Sequence, residues 1–289
     1  MTQTSFSQLA KPVLRGVHHT ARPTWKLEET VHFYRDLLGL PLLHAISARG
    51  WGPADHADFL HFFFDSGNGS TIAFFYYIGT ERPAHLEPSD HYQSRATHTA
   101  WLVSDEVELK AWRDRVEAVG IPLRYQVRHE VIESIYFNDP NGYPIEITYQ
   151  TRPFDRADAG DATRTIDAAI DRERAAVRGE GFGSIDAVWQ RKGDGLDSQN
   201  ASDNIASIFV LDVPEFRSLV DVATRDARYR TEVVEGNYIR IDGNPSLHFS
   251  RKELGFKPAV WYGALTGGLR GRIERFDADM LVIEPTEQA

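Results

Sequence analysis

Apolar positions along this chain follow two periods, one near 3.6 residues and one of 2, and they recur in the same order twice. Between Lys26 and Leu38 the residues Leu27, Val31, Tyr34 and Leu38 fall at helical spacing and Gly39 closes the run. This predicts a helix that follows a strand over Leu14 to Ala21. Three strands should come next, over Leu40 to Ile46, Ala57 to Asp65 and Ser70 to Tyr77, the last two joined through Gly67-Asn68-Gly69. From Ala96 to Tyr149 the order returns. A strand is expected at His98 to Val103 and a helix at Val107 to Ala118, with Leu109, Trp112 and Val116 on one face and Gly120 at its end. Strands at Leu123 to Val127, Val131 to Asn138 and Tyr143 to Tyr149 complete the copy. The two copies share little sequence. The repeat lies in element order, βαβββ, and in a histidine at the opening strand of each, which makes the fold class α+β.

Beyond Tyr149 the pattern changes. Arg152 to Arg164 is polar and reads as a linker, Thr165 to Val177 as a charged helix, and Gly179 to Ser202 as Gly-rich and irregular. Then come a strand (Ala206 to Val210), a helix (Glu215 to Asp226) and strands at Tyr229 to Val234, Tyr238 to Asp242 and Ser246 to Ser250. That order suggests a third, degenerate copy without its histidine; Ala259 to Leu265 and Asp277 to Ile283 are expected to add two strands. The predicted domains are 1–150 and 151–289, with the linker near 151–203.

Composition narrows the chemistry. A net charge of −10 over 289 residues argues against a nucleic-acid partner, which calls for a basic face. With no cysteine there can be no disulfide, thiolate ligand or cysteine nucleophile, so a metal would sit on nitrogen and oxygen. No apolar run approaches the ~18–20 residues of a membrane span. The first ten residues lack the basic start and apolar run of a signal peptide, so a cytoplasmic location is expected. A nucleophilic hydrolase has no support, because no Gly-x-Ser-x-Gly elbow is present.

Candidate chemistry concentrates in Tyr136-Phe137-Asn138-Asp139-Pro140-Asn141-Gly142-Tyr143-Pro144-Ile145-Glu146, read as strand, tight turn and returning strand. Along Tyr143 to Tyr149 the residues Ile145, Ile147 and Tyr149 share one face and Glu146 takes the other. A hairpin paired about Asn141 sets Tyr136 opposite Glu146. Two imidazoles on the opening strands (His18 or His19, and His98) with one carboxylate are the ingredients of a facial metal site with open positions.

In order, His19, Phe33-Tyr34, Leu38-Gly39-Leu40, His98 and Asp139-Pro140-Asn141-Gly142 before Glu146 resemble the vicinal oxygen chelate superfamily over about residues 14–150. That superfamily includes glyoxalase I, fosfomycin resistance proteins and type I extradiol catechol dioxygenases. The resemblance implies a curved mixed sheet forming a cup, with His19, His98 and Glu146 as the three metal ligands. His19 is preferred to His18 by its spacing of about fifteen residues from Tyr34; His18 should then point to the opposite face, as a core or second-shell histidine. The pair Tyr136 and Glu146 looks most like the extradiol enzymes. It implies Fe(II), with Mn, Ni or Zn as other acceptable ions, acting with dioxygen on a small aromatic substrate.

Those enzymes carry a histidine before the tyrosine, and His129 is similar in place though two residues nearer than the pattern. A further acid/base histidine is expected near Ser70 to Tyr77, where none stands; His61, His85 and His91 are the candidates. Aromatic residues over Phe62 to Phe64 and Phe74 to Tyr77 are candidates for a pocket wall, about half of them facing away. A glyoxalase-type isomerase or lyase is the first alternative, disfavoured because Thr71-Ile72-Ala73-Phe74-Phe75 lacks a second carboxylate. A ligand-sequestering resistance protein is the second. Both repeats lie in one chain, so the site should be self-contained, whether or not the protein forms a homo-oligomer.

Overall fold

The structure, a computed structural model, describes residues 14–50, 56–87, 96–178, 183–196 and 204–286. The described chain divides into two compact units. One runs to Gln126 and takes in Ser134–Tyr149; the other holds Val127–Glu133 and the residues from Gln150 onward.

The first unit holds two βαβββ modules, except for a hairpin tip of the second, Val127–Glu133. In module one, β1 (His19–Thr24) leads into α1 (Leu27–Val31), which continues as a π-helical turn over His32–Leu37. Strands β2 (Leu42–Ala48), β3 (Phe59–Asp65) and β4 (Thr71–Tyr77) follow, in the sheet order β1-β4-β3-β2. β1 runs parallel to β4 and the other pairs are antiparallel, giving a mixed sheet. Module two repeats this with β5 (Thr99–Val103), α2 (Glu106–Ala118), β6 (Tyr125–Arg128), β7 (Ile132–Asn138) and β8 (Pro144–Gln150), in the order β5-β8-β7-β6. The helix α2 starts where the Asp105 side chain accepts from the Glu108 amide, the capping that satisfies one free N–H of the first turn. Gly39 and Gly120 end the helical segments at positive φ, 80° and 79°.

One core serves both modules. Tyr34, Phe64, Ile72 and Phe74 from the first pack in the same cluster as Leu109, Ile135, Phe137, Ile145 and Ile147 from the second. Each such side chain contributes about 1.5–3 kcal/mol by leaving water. Strand alternation then leaves Phe59, His61, Phe63, Ala73, Phe75 and Tyr77 on the opposite, open face of the first sheet. On the second sheet that face carries His98, Ala100, Ser134, Tyr136, Glu146 and Thr148.

The first strand starts later than expected, at His19 rather than Leu14, after Gly16 at φ 110°.

The second unit departs further from expectation. The predicted linker is the first half of α3 (Arg156–Val177), opened by an Asp155/Asp158 capping box. Its buried stripe is small and partly polar (Asp161, Ala168, Ala175), which hides it from a hydrophobic-period reading. The Gly-rich stretch contains α4 (Asp186–Leu196). There Gly193 is needed because a Cβ would lie 2.3 Å from the Leu269 carbonyl oxygen. Lys192, inside this unit, is buried with its ammonium on Asp161, Thr165 and the Thr266 carbonyl, at 2.5, 2.8 and 2.6 Å. All three donors are used, so it is a structural tie between α3, α4 and the loop before β13 (Leu269–Arg270).

The strands β9 (Ser207–Leu211), β10 (Arg230–Val234) and β11 (Tyr238–Asp242) flank α5 (Arg217–Arg225), and β12 (Leu247–Ser250) comes next. This repeats the βαβββ order without its pairing. β9 runs antiparallel to β11, while β12 joins a separate sheet with β15 (Met280–Glu284) and β14 (Arg272–Phe276). In module one the first strand is parallel to the fourth. The third set is therefore not a degenerate copy. After α6 (Arg251–Leu254), the expected strand at Ala259 to Leu265 is instead α7 (Pro258–Tyr262) and turns, a short apolar run started by a proline at the first helical position.

Candidate metal centre

The Asp-Pro-Asn-Gly turn fixes where β8 begins. Asp139 Oδ1 accepts from the Asn141 and Tyr143 amides, each at 2.8 Å, and Oδ2 accepts from the Tyr34 hydroxyl at 3.0 Å. Asn141 Oδ1 accepts from Thr24 Oγ1 at 2.8 Å, and its Nδ2 donates to Thr30 Oγ1 at 3.0 Å. Gly142, at φ 85°, completes a turn that a residue with a Cβ would strain. This motif thus joins the end of β1 and the helix of module one to the strand that carries Glu146. Burial pushes the Asp139 carboxyl above its ordinary range, and the hydrogen bonds donated to it pull it back.

Glu146 is 3% exposed and sits in a polar cluster on the open face of the second sheet. His98 Nε2 lies 2.9 Å from its Oε2, and Ser134 Oγ donates to its Oε1 at 2.5 Å. His98 Nδ1 is 2.9 Å from the Ala96 carbonyl, which can only accept, so that nitrogen carries a proton. A neutral ring would then aim the Nε2 lone pair at a carboxylate oxygen. Two electron-rich atoms hold that separation only with a proton or a cation between them. The 2.9 Å distance also approaches the ~3 Å edge between adjacent ligands each ~2.1 Å from an ion. This donor pair fits a divalent metal of nitrogen and oxygen preference.

Tyr136, opposite Glu146 in the hairpin closed by the Asp139 amide and the Tyr143 carbonyl, stands 6.3 Å from His98 between ring centroids. Burial first, and then its hydrogen bond to Glu146, push its phenol up to about 12. It is a protonated donor at neutral pH.

His19, the expected third ligand, opens β1 on the exposed edge of the first sheet. Its Nδ1 lies 2.9 Å from His18 Nδ1, and its ring is 5.8 Å from Phe63 and 6.4 Å from His61. His18 lies just outside the strand, so the pleat does not turn it to the opposite face; it is exposed and meets His19 instead of entering the core. The edges of the two sheets meet where Arg22 donates to Thr99 Oγ1. The structure thus brings together His98, Glu146 and Tyr136. Among the described residues no set of three His, Asp or Glu side chains is gathered closely enough to hold an ion.

Of the acid/base candidates, His61 is the one on the open face. Its Nδ1 donates to the Phe74 carbonyl at 3.0 Å and its ring stacks on Phe75 at 3.7 Å, leaving Nε2 as a lone-pair base. Burial holds its pKa below the usual value, with His19 and His44 adding to the effect. His85 lies in an exposed single turn, Ala84–Leu86, and His91 falls outside the described residues. His129 lies in the β6–β7 connection, its amide donating to the Ile132 carbonyl, within the segment that belongs to the other unit. Sequence reading missed Ser134 and Thr148. The available signal was period 2: Ser-x-Tyr on β7 facing Glu-x-Thr on β8.

The sequence profile of the Glyoxalase/Bleomycin resistance protein/Dioxygenase superfamily matches residues 16–147. Curated proteins give no match. Among solved structures, lactoylglutathione lyase from Agrobacterium tumefaciens is 22% identical, covering 47% of this chain and 95% of its own, with a TM-score of 0.34. A glyoxalase/dioxygenase from Nostoc punctiforme is 21% identical over 50% and 100%, with a TM-score of 0.37. The fosfomycin resistance protein FosX from Listeria monocytogenes is 20% identical over 48% and 96%, with a TM-score of 0.33. No helix among the described residues is long and apolar enough to cross a membrane. Residues 16–147, a little under half of the chain, are thus similar to the glyoxalase/bleomycin resistance protein/dioxygenase superfamily.

Proposed function

We propose that this domain is a metal-dependent dioxygenase of extradiol type, cleaving the ring of a catecholic substrate. The observation that carries the reading is the place of Tyr136: a phenol opposite Glu146 in the hairpin and 6.3 Å from His98 between ring centroids. His98 and Glu146 would hold the ion, with His19 as the third ligand. Fe(II) held there would supply Lewis-acid and redox chemistry.

The chain's own groups have distinct tasks. Tyr136 can turn its proton from Glu146 to an ionised substrate oxygen, stabilising that charge by a hydrogen bond. His61, neutral at Nε2, can take a hydroxyl proton and later return it. Phe63, Phe75 and Tyr77 offer flat apolar surface against which an aromatic ring can stack. A glyoxalase-type lyase would draw a second carboxylate from module one, where β4 presents Thr71, Ala73, Phe75 and Tyr77.

The test is anaerobic loading with Fe(II), then a panel of catechols with oxygen uptake and product absorbance followed together. Yellow ring-cleaved products with matching oxygen consumption are expected. Turnover without oxygen, sustained by Ni or Zn, would replace this reading with the isomerase. Tight ligand binding that persists in Glu146→Gln without product would replace it with a sequestering protein.

A further inference from the structure

We infer that Ser134 is a positioning residue, fixing the rotation of the Glu146 carboxylate beside His98 and thereby how tightly the site holds a divalent ion. This rests on the metal reading above and concerns a residue outside the ligand set. Ser134 is fully buried on β7. Its Oγ lies 2.5 Å from Glu146 Oε1 and 2.9 Å from Thr148 Oγ1. A hydroxyl has one proton, and the shorter contact to the carboxylate claims it.

The consequence is directional. Oε1 is capped from one side, so Oε2 is the oxygen left at 2.9 Å from His98 Nε2. The last torsion of a glutamate is broad, and the rotamer alone does not set the plane of the carboxylate. The Ser134 hydroxyl anchors one of its oxygens from the neighbouring strand. Without its hydroxyl the carboxylate can rotate, and the buried Oε1 loses a charge-assisted donor.

The experiment titrates the full chain with Co(II) alone in oxygen-free buffer, reading affinity by calorimetry and ligand geometry by the visible d–d absorption. Ser134→Ala should weaken binding by about 10–100-fold, the usual effect of removing a hydrogen bond to a ligand, and should change the spectrum. Ser134→Thr, which keeps the hydroxyl, should restore both. A purely structural role for Ser134 would lower the melting temperature and leave affinity and spectrum alone. If Ser134→Ala does not fold, Ser134→Cys, similar in size and a weak donor, takes its place. Wild-type affinity and spectrum in the Ala or Cys variant, while Glu146→Gln loses the ion, would overturn the role of Ser134 and leave the metal reading standing. A wild-type protein that takes up no Co(II) would overturn both.

Discussion

The two modules of the first unit can be laid on one another position by position. In β1, two residues after His19, Ala21 pairs with Ala73; in β5, two residues after His98, Ala100 pairs with Glu146. Ala73 therefore holds in module one the place that Glu146 holds in module two. Opposite Ala73 on β3 stands Phe63, where Tyr136 stands opposite Glu146. The next open-face pair is His61 with Phe75 in one sheet and Ser134 with Thr148 in the other. On the core side the pairs match in character: Phe64 with Ile72 and Phe62 with Phe74, against Phe137 with Ile145 and Ile135 with Ile147. The shared core needs apolar volume from both sheets, whereas the open face is released from that demand. It has divided its labour. Module two supplies the acid, the phenol and an imidazole, while module one supplies stacked rings and His61.

Substitutions can break this division. The largest effect is expected from Glu146→Gln, which should lower oxygen-dependent turnover by on the order of 10³-fold, since a metal centre supplies several kcal/mol to the transition state. Loss of bound metal in the same sample would locate the defect. Activity near wild type would take the acid out of the account.

Ala73→Glu puts the acid of module two into the matching place of module one. Ala73 is 0% exposed, so the new carboxylate should destabilise the protein by roughly 2–4 kcal/mol in denaturant melts. An unchanged melt with a second equivalent of metal bound would mean the two sheets are more interchangeable than their faces suggest.

Tyr136→Phe turns the module-two pair into the module-one pair. It removes one hydrogen bond to a charged group, worth about 1.5–3 kcal/mol, so kcat should fall about 10–100-fold with metal content unchanged. Full activity would remove the phenol from the mechanism.

The smallest effect concerns pH. His61 has its folded pKa below the unfolded value of ~6.5, so the unfolded chain binds more protons between the two. Its contribution to stability is complete above pH ~6.5 and is lost as pH falls below it. His61→Gln should flatten melting temperature against pH in that window; an identical slope would mean that other groups set it.

The order of elements up to Tyr149 was readable because each obeys one clear period and each helical segment ends at a glycine. Glu146 and Tyr136 were readable for the same reason, since hairpin parity alone puts them on one face. The helix at Arg156–Val177 was hidden because its buried stripe is alanine and aspartate, and α4 because Gly193 reads as loop while serving a close backbone approach. The family turn was found but its work was not. Asp139 and Asn141 bind Tyr34, Thr24 and Thr30, partners more than a hundred residues away that no local pattern reveals. The choice of His61 over its rivals likewise depends on which strand lies beside β4, a fact of pairing.

The most direct test is anomalous X-ray diffraction from crystals grown anaerobically with Fe(II) or Mn(II). A single strong peak within about 2.0–2.3 Å of His98 Nε2 and Glu146 Oε2, with His19 turned to complete the set, is the expected result. Density in which His98 and Glu146 keep their direct contact with no ion between them, at saturating metal, would contradict it.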